Sequence, residues 1–292
     1  MIGAALMAPP SSGAVDHDAP LVAREPLEGA YVLLTFRHPE VARTARAGQF
    51  VMIKAGRSAE PPLRRPFSIL RTEAASDAFS LFVKAVGPGS RALAAMAVGE
   101  TARCLGPLGR PFSAPAPGRE ALLVAGGYGI APFLLFSREL RGGGVTPRVF
   151  YGGRTRGDLQ LIELFAELDV SVTAATQDGS YGQRGLVTEP LERYLDSTHG
   201  TRALYACGPD AMMHAVARVA AARELPAQVS LDPWMGCGIG TCLGCIVRTQ
   251  SAHEPAPRNR CACTEGPVFD ADAVVWPGEA CSLARRRSGV HA

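Results

Sequence analysis

The run MGCGIGTCLGC, from Met235 to Cys245, restricts this chain more than any other feature. Three thiols separated by four and then two residues cannot converge from a regular strand or helix. They require a loop that wraps something, and Gly236, Gly238, Gly240 and Gly244 let the backbone come close enough to do so. With a distal fourth thiol, Cys237, Cys242 and Cys245 have the spacing that ligates a 2Fe-2S cluster. A single zinc ion is the alternative, but zinc sites prefer two paired knuckles to a three-plus-one arrangement. Cys261 and Cys263 both qualify as the fourth ligand, because alternation puts them on one side of an extended segment. Five of the eight cysteines fall between Cys237 and Cys263, leaving Cys104, Cys207 and Cys281 isolated and structural or core-lining. A secreted disulfide framework would spread them through a shorter chain; clustering points to metal ligation in a reducing, cytoplasmic setting.

A chain of 292 residues suits two domains and a small appendage. Its longest uncharged run, Ala121 to Ser137, is shorter than the ~20 apolar residues of a spanning helix, and Gly and Pro interrupt it. No membrane span is expected. Residues 1–20 carry no basic and apolar signal pattern, and their Pro, Ser and Gly suggest a disordered leader. Net charge is +3, and all but two of the thirty basic residues (Lys54 and Lys84) are arginines scattered along the chain, so nucleic acid is not an expected partner. Arg285, Arg286 and Arg287 mark a solvated basic tail over 282–292.

From Leu21 the rhythm is short strands with Gly and Pro between them: Tyr31–Arg37, Gln49–Lys54, Arg65–Leu70 and Phe79–Val86, with one helix at Ser90–Ala97. That cadence predicts a small antiparallel barrel over 21–115. Beyond it, strands Ala121–Ala125, Arg148–Tyr151, Val170–Thr176 and Ala203–Cys207 alternate with helices Ile130–Arg141, Asp158–Leu168, Leu186–Asp196 and Asp210–Arg223. Strand-helix alternation predicts an α/β parallel-sheet nucleotide domain over 116–227. A last strand, Gln228–Leu231, leads into a small C-terminal cluster subdomain over 228–281.

Three further motifs bear on chemistry. Arg65-Pro66-Phe67-Ser68 at a strand offers a cation for a pyrophosphate, an aromatic face for a ring and a hydroxyl for a ring nitrogen; Gly87 to Ser90 opens a helix that could cradle phosphate. Each is weak alone, and together in one barrel they suggest a cofactor site. Gly126, Gly127 and Gly129 lie between a buried strand and a helix, the context in which a Gly-rich turn holds a dinucleotide pyrophosphate, although the spacing is not GxGxxG. Cys207 and Gly208 end a later strand, where parallel sheets bind ligands; Cys207 reads equally as pocket lining or core. None of the six histidines has ligand or triad spacing, and His214 reads as a helix surface residue. No nucleophile-elbow, zincin or kinase motif is present, and redox cofactors need no protein nucleophile.

In this order the motifs resemble the ferredoxin-NADP reductase superfamily and, within it, the electron-transfer subunits of NAD-dependent bacterial dihydroorotate dehydrogenases. The resemblance runs from about Leu21 to Pro277 and is carried most specifically by Met235–Cys245 and by Cys263-Thr-Glu-Gly-Pro-Val-Phe. It implies a β-barrel FAD domain, an NAD-binding α/β domain and a 2Fe-2S subdomain, with NAD(H) as co-substrate. It places FAD on Arg65, Pro66, Phe67, Ser68, Phe82, Val83, Lys84, Gly89 and Ser90 and the interdomain linker on Gly106 to Gly109. It puts an adenosine ribose on Asp178 and favours Cys263 as fourth ligand. The implied partner is an FMN-containing dihydroorotate dehydrogenase catalytic subunit, two of each chain in a heterotetramer, in pyrimidine biosynthesis. Two departures are a longer gap between Cys245 and Cys263, with an insertion near His253–Arg260, and the long leader. The small subunit of an NADPH-linked ferredoxin or sulfide oxidoreductase shares the architecture; it would use Arg154 and Arg156 for a 2′-phosphate, whereas Asp178 argues against one. Readings further off are a self-contained oxygenase reductase and a zinc-stabilised interaction module.

Overall fold

The computed structural model describes residues 15–56, 63–251, 254 and 256–277. Its first half closes into a barrel. Strands β1 (Val15–Pro26), β2 (Tyr31–Arg37), β3 (Phe50–Ala55), β4 (Arg65–Glu73), β5 (Ala78–Lys84) and β6 (Thr101–Leu108) join in the order β1-β2-β5-β4-β3-β6. Every neighbouring pair is antiparallel, and closure leaves no sheet edge open. Two short helices, α1 (Pro39–Thr44) and α2 (Pro88–Ala94), interrupt the strands. Leu34, Phe36, Val51, Ile53, Ile69, Phe79 and Leu81 fill the interior.

The first departure from the sequence reading is β1, which starts at Val15, inside the stretch expected to be a disordered leader. Asp16 and Asp18 look like leader residues, but Asp16 meets Arg64 (2.6 Å) and Arg103 (2.8 Å), and Asp18 meets Arg103 (3.3 Å). Charge pairing across β1 and β6 anchors the polar start of the strand, and Ala19 and Leu21 further along it are buried in the core.

The second half is a seven-stranded sheet. β7 (Glu120–Gly126), α3 (Ala131–Gly142), β8 (Arg148–Gly153), α4 (Ile162–Ala166), β9 (Ser171–Thr176), β10 (Gln183–Arg184), α5 (Thr188–Ser197), β11 (Arg202–Cys207), α6 (Asp210–Ala222) and β12 (Ala227–Ser230) follow one another. The strands up to β12 pair in parallel. After β12 come the antiparallel hairpin β13 (Ile246–Thr249) and β14 (Arg258–Cys261), the turn α7 (Ala262–Glu265), and β15 (Val268–Asp270). β15 returns to pair antiparallel with β12, giving the order β10-β9-β8-β7-β11-β12-β15. The cysteine segment is thus an insertion between two strands of the nucleotide sheet rather than a lobe that begins at residue 228.

The helix expected over Asp158–Leu168 is shorter. Arg156–Asp158 forms a 3-10 turn, Leu161 takes a left-handed φ of +69°, and α4 starts only at Ile162. The left-handed Leu161 breaks the helical path, and the Tyr151 hydroxyl donates to the Asp158 carbonyl and accepts from the Gln160 N–H in its place. His214 of α6 is not a free surface residue: its ring stacks on Trp276 at 5.1 Å. Two apolar cores join the parts. One runs from the barrel through Phe112 to Phe133 and Phe136 of α3 and Tyr205 of β11. The other links Phe50, Met52, Leu105 and Leu108 with Met235, Cys245, Cys263 and Trp276. Among the described residues no helix is long and apolar enough to cross a membrane. Cys281, His253 and Arg285 to Arg287 lie outside the described residues.

Candidate functional site

Three sets of residues converge around the barrel face that carries β3 and β4. On β4, Arg65, Pro66, Phe67 and Ser68 are all half-buried, whereas Ile69 and Leu70 are fully buried. The Arg65 side chain lies against the start of α2, where a Cβ on Gly89 would come within 3.0 Å of Arg65 Cγ. Two motifs that are weak alone are therefore one place. A side chain there would press the stem of Arg65 aside by a few tenths of an ångström. The first intrahelical bond of α2 runs from Arg91 N to the Gly87 carbonyl, so the N–H groups of Gly89 and Ser90 precede the helical ladder and favour an anionic oxygen.

Other expected flavin contacts are placed differently. The Ser90 hydroxyl accepts from the N–H groups of Val86 and Gly87 at 3.0 Å each, so it closes the turn instead of facing outward. Phe82 and Val83 are core side chains, with Phe82 stacked on Tyr31 at 5.1 Å, and only their backbone could meet a cofactor. Lys84 directs its ammonium to Asp158 of the other domain at 3.0 Å.

The nucleotide side is built on β7 and β11, adjacent parallel strands with Ala125 opposite Cys207. From β7 the sheet grows one way through β8, β9 and β10, and the other way through β11 and β12. This is a switch point, where the loops at the strand C-termini diverge and leave a crevice. Gly126, Gly127 and Gly129 open α3 there, and Gly208 faces them from β11. A Cβ on Gly129 would stand 2.3 Å from the Cys207 carbonyl oxygen, so the two turns touch backbone to backbone. Burial pushes the Cys207 thiol up to about 12, and nearby Asp232 adds to the shift. The thiol stays neutral, and its side chain belongs to the apolar core shared with the barrel.

Asp178, beyond the end of β9, accepts from the Ser180 N–H (3.0 Å) and hydroxyl (2.6 Å), bonds that hold its carboxyl below the usual range. Ser180 also accepts from the Arg156 N–H at 2.8 Å. The two arginines that could serve a 2′-phosphate are both engaged: Arg154 on Asp158 (3.0 Å) and Arg156 over the Tyr181 ring (5.0 Å).

The cysteine loop packs directly on the barrel. At Gly238, with φ of +78°, a Cβ would fall 2.5 Å from Met52 Cγ of β3 and 3.1 Å from Leu108 of β6. Backbone N–H groups point at sulfur throughout: Ile239 and Cys242 at Cys237 (3.4 Å each), Gly240 at Cys263 (3.2 Å), and Gly244 at Cys242 (3.5 Å). Cys242 lies beside Cys237, and Cys245 lies beside both Cys261 and Cys263. Among the described residues no group of three or more acidic, His or Cys side chains is placed to hold a single metal ion. Cys263 is buried and receives an N–H from the loop; Cys261 is half-buried, lies beside Cys245, and has its own N–H on the Glu265 carboxylate at 3.0 Å.

Some site features carried no sequence signal. Arg260 binds Thr249 (2.9 Å), Glu254 (2.7 Å) and Glu265 (2.9 Å), bracing the hairpin that presents Cys263. A depression of about 540 Å³ beside Cys237 is walled by Lys54, Arg64 and Arg103 as well as Leu63, Leu105 and Ile239. The cysteine loop exposes Cys242 and the apolar side chains of Trp234 (92% exposed), Ile239, Leu243 and Ile246. Exposed apolar side chains on a Gly-rich loop would have been the only hint.

Family comparisons agree with this three-part layout. Residues 18–112 match the oxidoreductase FAD-binding domain, 123–218 the oxidoreductase NAD-binding domain, and 232–275 the iron-sulfur cluster binding domain of dihydroorotate dehydrogenase B. The chain is 37% identical over 243 residues to the electron transfer subunit of dihydroorotate dehydrogenase B (NAD(+)) from Desulforamulus reducens, covering 83% of this chain and 92% of that one. The corresponding subunit of Bacillus cereus is 37% identical over 232 residues, 78% and 86% of the two chains. Among solved structures, an NADH-dependent reduced ferredoxin-NADP oxidoreductase studied for flavin-based electron bifurcation superposes with a TM-score of 0.79 at 28% identity, over 95% of this chain and 96% of that one. The ferredoxin reductase of carbazole 1,9a-dioxygenase shares the fold, with a TM-score of 0.64 at 24% identity over 74% and 68% of the two chains.

Proposed function

We propose, from the premise that this chain belongs to the electron transfer subunits of dihydroorotate dehydrogenase B, that it links NAD(H) to an FMN-containing catalytic subunit that turns over dihydroorotate. Bound to their domains, the nicotinamide and FAD supply hydride exchange and the 2Fe-2S cluster supplies single-electron exchange. The observation that carries the proposal is the seating of Gly238 on Met52 and Leu108. It brings the four-cysteine loop onto the strand that pairs with β4, so the residues for cluster and flavin share one wall.

The residues fit the three groups. Arg65 would bind the FAD pyrophosphate over the N–H groups of Gly89 and Ser90, with Phe67 and Ser68 toward the ring. Gly126, Gly127, Gly129 and Gly208 would admit the nicotinamide dinucleotide at the switch point, with Cys207 as an uncharged wall and Asp178 toward the adenosine ribose. Cys237, Cys242, Cys245 and Cys263 would ligate the cluster, and the N–H groups aimed at their sulfurs would stabilise thiolate charge. The apolar side chains exposed with Cys242 on the loop would form the face that the catalytic subunit covers, because an exposed tryptophan gains most from burial there. The pair would assemble as two of each chain in the cytoplasm.

Co-expression with an FMN-containing dihydroorotate dehydrogenase barrel tests this. The two should co-purify and reduce NAD⁺ with dihydroorotate; a chain that purifies alone and leaves that turnover unchanged refutes the assignment. A second reading, as a subunit of a ferredoxin-linked oxidoreductase, draws on the end-to-end likeness to the bifurcating enzyme. Strong preference for NADPH over NADH in flavin reduction would favour it. The engagement of Arg154 and Arg156 and the acid at Asp178 argue for NADH.

A further inference from the structure

We propose that Asp158 is a positioning residue: it clamps the nucleotide domain to the barrel and thereby sets the approach of nicotinamide to flavin. This inference rests on the hydride-exchange reading above. Asp158 lies in the 3-10 turn after β8, and its carboxylate is shared between two domains. Oδ2 accepts from the Arg154 N–H (3.3 Å) and guanidinium (3.0 Å) within the nucleotide domain. Oδ1 accepts from Lys84 (3.0 Å) at the end of β5 and from the Tyr31 hydroxyl (3.2 Å) on β2, both barrel residues.

The clamp is tied to both candidate sites. The Tyr151 hydroxyl stands 3.0 Å from the Asp158 carbonyl and 3.0 Å from that of Gly127, in the turn proposed for the dinucleotide. On the barrel side, Tyr31 stacks on Phe82, and the Lys84 ammonium sits 4.6 Å over the Tyr31 ring. A continuous chain of close contacts therefore leads from the Gly-rich turn, through Tyr151 and Asp158, to the strand expected to line the flavin. The Asp158 side chain is only 12% exposed and that of Lys84 21%. Burial alone would push the Asp158 carboxyl up, but the hydrogen bonds from Arg154 and Lys84 outweigh it and hold the group well below the carboxylate range. The clamp stays charged wherever the protein is folded near neutral pH.

Placement matters because hydride exchange needs near contact, and a shift of ~1 Å costs on the order of 10²-fold in rate. The test uses the holoprotein with FAD and cluster bound. In rapid mixing with NADH, Asp158→Asn should reduce its flavin at least ~10-fold more slowly than wild type. Flavin content and the affinity for NAD⁺ measured by calorimetry should stay within about 3-fold, a rate-against-binding split that general destabilisation would not produce. Asp158→Glu, which keeps the charge, should recover part of the rate. Should Asp158→Asn lose flavin, Tyr31→Phe decides, since it removes one oxygen and keeps the ring; it should slow reduction by a smaller factor. Amide exchange should speed up at Lys84–Val86 and Arg154–Asp158 together. Wild-type rates in both variants, or no change in exchange on either side, overturn the clamp. A wild type whose flavin neither NADH nor NADPH reduces refutes the relay instead, and the exchange measurement then judges the clamp by itself.

Discussion

Replacing Gly129 by alanine adds one methyl group where the two nucleotide turns touch. That methyl would sit 2.3 Å from the Cys207 carbonyl oxygen, 2.6 Å from its carbon and 2.7 Å from the Gly208 nitrogen. All three are backbone atoms, so no side chain can swing aside. Restoring an ordinary contact of 3.4 Å requires the turns to part by about 1 Å, against the β7–β11 ladder that pairs Ala125 with Cys207. Overpacking of this kind costs about 1–3 kcal/mol, or roughly 2–10 °C in Tm for a protein of this size. The functional effect should exceed the loss of stability, because the opened contact is the floor of the crevice: NADH-driven flavin reduction should fall on the order of 10²-fold. Reduction by dithionite, which needs no crevice, should be unaffected. Gly142→Ala is the control, since a Cβ there has nothing within 4 Å and the residue lies in α3, where alanine is favoured by up to ~1 kcal/mol. A Gly129→Ala protein that matches the control in both Tm and NADH rate would refute the switch-point reading of these turns.

Four further outcomes follow. Cys263→Ser should lower iron content and visible absorbance far more than Cys261→Ser; equal losses would reopen the choice of fourth ligand. Arg260→Ala should leave the barrel and its flavin intact yet shorten the time a chelator needs to extract iron, because the hairpin carrying Cys263 loses its contacts to Thr249, Glu254 and Glu265. Burial pushes the Cys104 thiol up to about 12 from an ordinary 9.0, so native protein at pH 8 should resist alkylation at Cys104 and react there only once unfolded. Cys104 and Cys207 both ionise more readily unfolded than folded, so their contribution to stability is complete below about pH 9 and is lost as pH rises toward 12; urea midpoints across that window should fall, and a flat profile would contradict the burial.

What the sequence revealed was local, and what it withheld was distant. Cys237, Cys242 and Cys245 are legible because the ligands and the glycines that bend the loop lie within one short run. The turn after β7 is legible for the same reason. By contrast, nothing near Lys84 in the sequence announces its ion pair with Asp158 of the other domain. Asp158 itself is followed by the apolar helical spacing that marks a helix start, although its carbonyl and carboxylate are committed to Tyr151, Arg154, Lys84 and Tyr31. The Ser90 hydroxyl closes its own turn on the Val86 and Gly87 N–H groups, a local role that the cradle motif does not announce. The polar start of β1 concealed a strand whose charges pair with Arg64 and Arg103 far along the chain.

The return of β15 to the nucleotide sheet has a mechanical meaning. Iron-sulfur carriers on flexible tethers work as ferries: they load at one shore and swing to the other. Here the cysteine segment is moored at both ends, by β12 before it and β15 after it, and Gly238 is pressed onto the barrel between them. Such a segment cannot ferry. It is held like a fixed wire, whose length is set when the chain folds, and the end it exposes carries Cys242 and Trp234.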